Sequence, residues 1–120
     1  PRSTLFPYTT LFRSDCIRWR DLNFLFHTLL YEPAGRPLTL DTVARLRQKT
    51  DRTIRTHLDS LRKESEQQHR EILEAVAAGD LERSVAALAH HLAYTSNDLQ
   101  SWMRAEQTQK RGSDGKKEWP

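Results

Sequence analysis

The stretch of residues 65–92, SEQQHREILEAVAAGDLERSVAALAHHL, constrains the fold of this chain more than any other. Four side chains of its first half recur at the i, i+3, i+4, i+7 spacing of one α-helical face: His69, Ile72, Leu73 and Val76. Gly79 and Asp80 follow, in the order of a left-handed helix end and an N-terminal cap. The pattern predicts two amphipathic helices joined by a tight turn.

The second of these helices carries an apolar stripe of its own: Leu81, Val85, Leu88 and Leu92. A short turn makes the two helices antiparallel neighbours, so we expect both stripes to face a shared interior. His69 lies on the first stripe, and His91 lies beside the second. Two imidazoles that point inward from facing helices are either buried and hydrogen-bonded or bind a metal ion, and the pattern alone leaves both interpretations open.

The remainder of the chain also favours helices, because no segment shows the alternating pattern of a β-strand. We predict an all-α fold, an antiparallel bundle of four helices near residues 15–32, 40–64, 65–78 and 80–106. A loop with Pro33, Gly35 and Pro37 separates the first two helices, and Thr39 or Asp41 could cap the second.

The two ends of the chain differ in composition from its centre. Residues 1–14, PRSTLFPYTTLFRS, resemble the translation of a common sequencing-adaptor oligonucleotide, and the alternative is a natural N-terminal strand. Residues 107–120 are polar and contain glycine, which predicts a disordered tail. We therefore predict a non-native segment at 1–14, a helical domain at 15–106 and a tail at 107–120.

Composition excludes several classes of protein. The net charge is only +3, and no basic run precedes the tail, which argues against a strong nucleic-acid binder. Cys16 is the one cysteine, so an internal disulfide is excluded, and a reducing cytoplasm is the expected location. No apolar run approaches the roughly 20 residues that a membrane-spanning helix needs.

One constellation of side chains could carry chemistry: Asn23, His27, His69 and His91. Asn23 and His27 are four residues apart and share one face of the first helix. Imidazole nitrogen suits zinc, nickel, copper and iron(II), although each histidine could equally be an ordinary core or surface residue. His90 points away from the apolar stripe of its helix, and His57 lies on a charged helix, so neither needs a functional explanation.

Two segments, FLFHTLLYEPAGRPL and HREILEAVAAGDLERSVAALAHHL, together with the charged helix between them, resemble the FCD domain of FadR-type GntR transcription regulators. The resemblance covers about residues 18–99, and it carries the family's metal-binding histidines over to His27, His69 and His91. The family's aspartate falls on Asn23, a neutral and weaker ligand, and Gln68 replaces the usual glutamate.

The resemblance implies an effector-sensing and dimerisation domain, not an enzyme. Such domains bind a small organic acid through a divalent metal, here zinc or nickel, and the intact protein would be a homodimer. DNA would be bound only through a winged helix, which we expect to be missing from this fragment. Arg52 and Arg55 are candidates to bind the effector's carboxylate.

Two other classes stay open. The first is a metal-free helical interaction module with structural histidines. The second is a four-helix metalloenzyme, because Glu66 and His69 form a Glu-x-x-His motif. That site would need a second copy of the motif, which the sequence lacks.

Overall fold

The computed structural model describes the backbone of residues 6–114 and the side chains of residues 17–51, 53–54, 57 and 61–113. Within these residues there are four α-helices and no β-strand, so the predicted all-α fold is confirmed. The elements are α1 (Phe6–Tyr31), a short 3₁₀ helix (Glu32–Ala34), α2 (Pro37–Thr56), α3 (Leu58–Ala77) and α4 (Leu81–Asp114). The chain divides into two compact units, with the boundary between Arg55 and Thr56.

Helix α1 begins at Phe6, nine residues before the predicted start at residue 15. Pro7 is compatible with this start, because the first turn of a helix needs no intrahelical partner for its backbone N–H groups. Residues 1–5, and the side chains of residues 1–16, lie outside the described part of the chain. The non-native origin of residues 1–14 therefore stays a prediction.

Helix α2 begins at Pro37, and the predicted start near residue 40 was wrong. Proline suits the first helical position because its φ angle is already helical and its missing N–H is not needed there. The first bond of the helix runs from Leu40 N–H to the Arg36 carbonyl, at 2.9 Å. Asp41 does not cap this helix; its carboxylate pairs with Arg45 at 2.9 Å.

The boundary between α2 and α3 lies at His57, whereas the sequence predicted one continuous helix to residue 64. His57 has φ −123° and ψ 16°, which is outside the helical region. Its ring is held by a contact with Asp98 on α4, at 2.8 Å. The break is accompanied by a contact 41 residues further along the chain, and such a contact leaves no signal in the local pattern. Leu61, which falls within the predicted second helix at 40–64, belongs to α3 instead.

The turn between α3 and α4 was predicted correctly. Gly79 has φ +67°, in the left-handed region that glycine adopts without a Cβ clash. Asp80 N–H donates to the Ala75 carbonyl at 3.1 Å, which closes the end of α3. The Asp80 carboxylate accepts from Arg83 N–H at 3.0 Å and so caps α4.

The interface between α3 and α4 differs from the one that hydrophobicity predicted. The buried side chains of α3 alternate at spacings of four and three residues: Leu61, Ser65, Gln68, Ile72 and Ala75. The apolar stripes expected to face inward are largely exposed instead: Leu73, Val76, Leu81, Val85 and Leu92. The helices meet through a face that is partly polar, whose groups bond with one another, and simple hydrophobic patterning misses such a face.

Helix α4 extends to Asp114, eight residues beyond the predicted end near residue 106. The disorder predicted for residues 107–120 stays a prediction. Polar side chains one turn apart support this extension along its exposed surface. The Arg104 guanidinium donates to Gln100 at 3.4 Å, and the Thr108 hydroxyl donates to the Arg104 carbonyl at 3.0 Å. Residues 115–120 lie outside the described part of the chain.

Candidate metal centre

Helices α3 and α4 bring His69 and His91 into direct contact. The two Nε2 atoms are 3.2 Å apart, and the ring centroids are 4.6 Å apart at an interplanar angle of 67°. His91 is only 4% exposed, and His69 is half-buried. The sequence placed both histidines on facing helices, and the antiparallel turn at Gly79 and Asp80 brings them together.

Gln68 fixes the orientation of the His91 ring. Its Oε1 atom lies 2.8 Å from His91 Nδ1, and its Nε2 atom donates to Glu64 Oε1 at 3.2 Å. A carboxylate only accepts, so the amide N–H faces Glu64 and the amide oxygen faces His91. His91 therefore donates from Nδ1, and its Nε2 carries a lone pair directed toward His69. Gln68 is 2% exposed, which holds this arrangement away from water.

The distance between the imidazoles suits a shared metal ion. Two nitrogens bound to one zinc at about 2.0–2.1 Å, in tetrahedral geometry, lie about 3.3–3.4 Å apart. The observed separation of 3.2 Å is close to this value. The support that Gln68 gives His91 is the kind of outer hydrogen bond that fixes metal-binding histidines. The pair therefore fits two ligands of one ion in spacing, and the His91 tautomer also suits a metal ligand.

His27 belongs to the other unit and is itself buried, at 5% exposure. Its Nδ1 lies 3.2 Å from the Tyr31 hydroxyl one turn along α1, and its ring makes a T-shaped contact with Phe26, with centroids 5.3 Å apart. A bond from Nδ1 to the hydroxyl leaves Nε2 able to bind a metal. Asn23 is half-buried and lies one helical turn before His27.

Arg47 on α2 is a feature of this region that the sequence reasoning missed. Its guanidinium donates to the backbone carbonyls of Asn23 and Phe24, at 3.3 and 3.4 Å, and lies 4.9 Å from the centre of the Phe24 ring. Burial lowers the pKa of Arg47, although the nearby Tyr31 opposes the shift. Burial likewise raises the pKa of Tyr31, which the charge of Arg47 partly offsets. An arginine among many on a charged helix carried no distinguishing signal.

Three other side chains were discussed from the sequence: Arg52, Arg55 and His90. The side chains of Arg52 and Arg55 lie outside the described residues, so their role as effector ligands stays a prediction. His90 is exposed and contacts the Tyr94 ring. Its lack of a functional role stays a prediction.

His57 has a defined environment, which its position in the sequence did not predict. Its Nε2 lies 2.8 Å from the Asp98 carboxylate, and its ring stacks on Trp102 with centroids 5.3 Å apart. Both partners lie on α4, one turn from each other. These contacts join the start of α3 to the second half of α4.

The FCD domain model matches residues 11–94, which is more than half of the chain. The chain therefore belongs to the FCD domain family, which supplies the effector-binding domains of GntR-type regulators and is not an enzyme family. No curated protein and no solved structure gives a significant match. Among the described helices, none is long and apolar enough to cross a membrane.

Proposed function

We propose that this chain is the effector-sensing domain of a GntR-type regulator and that it binds a small carboxylate through a divalent metal, zinc or nickel. His27, His69 and His91 would supply three imidazole ligands. Each of them is buried or half-buried and offers a ring nitrogen. The single observation that carries the proposal is the contact between His69 and His91, with His91 oriented by the buried amide of Gln68.

Asn23 gives the proposed centre a distinctive charge. An amide oxygen can bind a metal, but it carries no charge, and the three imidazoles are also neutral. The metal would keep its full positive charge, which favours an anionic effector as the remaining ligand. A carboxylate satisfies both the charge and the preference of the ion for oxygen or nitrogen donors.

The regulatory part of the proposal follows from the family. A metal-bound acid that binds one arrangement of the helices better than another shifts the equilibrium between them. In the intact regulator this shift would reach DNA through a winged helix and a homodimer. The exposed apolar stripe that includes Leu81, Val85 and Leu92 on α4 supports association with a second copy.

Metal titration of purified chains tests the proposal. We expect one equivalent of zinc or nickel to bind the unaltered chain. His91→Ala should weaken this affinity by more than the roughly 10–100-fold that loss of a supporting residue costs. His90→Ala is the matched control, because His90 is the adjacent imidazole and is exposed; it should leave the affinity unchanged.

A further variant tests the role of Asn23. Asn23→Asp adds a charged ligand and should tighten metal binding.

Equal losses in the His90 and His91 variants, or a chain that binds neither metal, would contradict the proposal. The separation of His69 and His91 would then represent an ordinary hydrogen bond in a metal-free interaction module.

A further inference from the structure

Arg47 has an unusual environment among the described arginines. Four others pair with an aspartate or glutamate: Arg20, Arg45, Arg62 and Arg83. The rest of the described arginines, apart from Arg47, are exposed to solvent. Arg47 is half-buried and has no acidic partner among the described side chains. Burial of an arginine without an acid is unfavourable unless another group compensates its charge.

The groups that contact Arg47 hold it in place but do not neutralise it. The carbonyls of Asn23 and Phe24 accept at 3.3 and 3.4 Å, which are long distances for hydrogen bonds. Both carbonyls lie inside α1, where the helix already uses them as acceptors. The Phe24 ring attracts the cation by its quadrupole, and this adds no negative charge.

Arg47 lies beside the part of α1 that carries candidate metal ligands. One of its bonds goes to the backbone of Asn23, and His27 follows one turn later. Tyr31 lies near Arg47 and contacts His27 through its hydroxyl. The positive charge is therefore fixed along the same turns of α1 as Asn23 and His27.

We infer that Arg47 anchors the carboxylate of the effector, and this inference rests on the proposed function. The guanidinium would donate charge-assisted hydrogen bonds to an acid that also binds the metal. A fixed positive charge disfavours a bare metal ion nearby, and an anion shared by both removes that cost. Metal and carboxylate should therefore bind cooperatively. Each should raise the affinity for the other by roughly 5- to 150-fold, as coupled sites commonly do.

The test measures the affinity of the full chain for Ni²⁺ in acetate, the minimal carboxylate probe, and in chloride of equal ionic strength. In the unaltered chain, acetate should tighten Ni²⁺ binding. Arg47→Met should abolish this enhancement, while Ni²⁺ affinity in chloride stays the same or rises because a repulsive charge is gone. Arg47→Lys keeps the charge without the planar fork and should retain only part of the enhancement. Arg45→Met is the matched control on the same helix and should behave like the unaltered chain.

Several outcomes separate this inference from the proposed function. An unaltered chain that binds no Ni²⁺ would overturn both. Ni²⁺ binding without an acetate effect, or with the same effect after Arg47→Met, would overturn the anchoring role alone. A loss of Ni²⁺ affinity in chloride after Arg47→Met would show that Arg47 has a structural role between α1 and α2. This outcome would also overturn the anchoring role.

Discussion

At the scale of single residues, Gln68 shows how a neutral side chain can govern a histidine. It is buried, it accepts from His91 Nδ1, and its own amide N–H is held by Glu64. The sequence presented Gln68 only as a departure from a family pattern. Its role depends on a residue 23 positions further along the chain, and it becomes visible only when α3 and α4 are packed together.

Substitution of Gln68 should separate its orienting role from its packing. Gln68→Met keeps the volume but removes the acceptor, and it should weaken zinc affinity by about 10–100-fold. Gln68→Glu retains an acceptor for His91 but loses the donor to Glu64, so it should bind zinc more tightly than Gln68→Met. Competition with a zinc chelator measures both affinities.

Gln67→Met is the matched control for this pair. Gln67 is the exposed neighbour on α3, and its amide donates to Glu71 at 3.3 Å. The Gln67→Met variant should leave zinc affinity unchanged. Equal losses in the Gln67 and Gln68 variants, or a Gln68→Glu chain as weak as Gln68→Met, would show that Gln68 does not orient His91.

At the scale of elements, the side of α3 that faces α4 is the main difference between expectation and structure. Ile72 was expected on the inward stripe and is buried at 1% exposure. Leu73 was expected on the same stripe and is 52% exposed. Apolar spacing shows that a helix is amphipathic, but it cannot identify the face that a particular neighbour covers when part of the real interface is polar.

The two adjacent side chains give a direct comparison of stability. Ile72→Ala should lower the free energy of unfolding by about 2–4 kcal/mol, because it leaves a cavity at a fully buried position. Leu73→Ala should cost less than about 1 kcal/mol, because its side chain already contacts water. Urea unfolding followed by circular dichroism gives both values. A larger loss of unfolding free energy for Leu73→Ala than for Ile72→Ala would contradict this structure and support the stripe that hydrophobicity predicted.

Helix boundaries set by local residues could be predicted from the sequence, and a boundary accompanied by distant contacts could not. The turn at Gly79 and Asp80 is encoded by local residues, and it was predicted at the correct position. The break at His57 is accompanied by contacts with Asp98 and Trp102, which are far along the chain, and it was missed. Local chemistry can be read from one segment, whereas a break associated with tertiary contacts cannot.

At the scale of the whole molecule, the helical class and the family could be predicted because periodicity and several ordered motifs agree. The same information located His69 and His91 on facing helices. It could not identify Arg47, because a half-buried cation without an acidic partner is defined by its surroundings and not by its type. The non-native character of residues 1–14 and the effector roles of Arg52 and Arg55 stay predictions.

The central claim is that three of the five histidines bind one metal ion. Imidazole ¹⁵N spectra recorded during a zinc titration of the full chain test it most directly, because each ring reports separately. The signals of His27, His69 and His91 should shift together and stop at one equivalent, while those of His57 and His90 stay in place. Shifts confined to His69 and His91, shifts in all five rings, or no shift at all would contradict the claim.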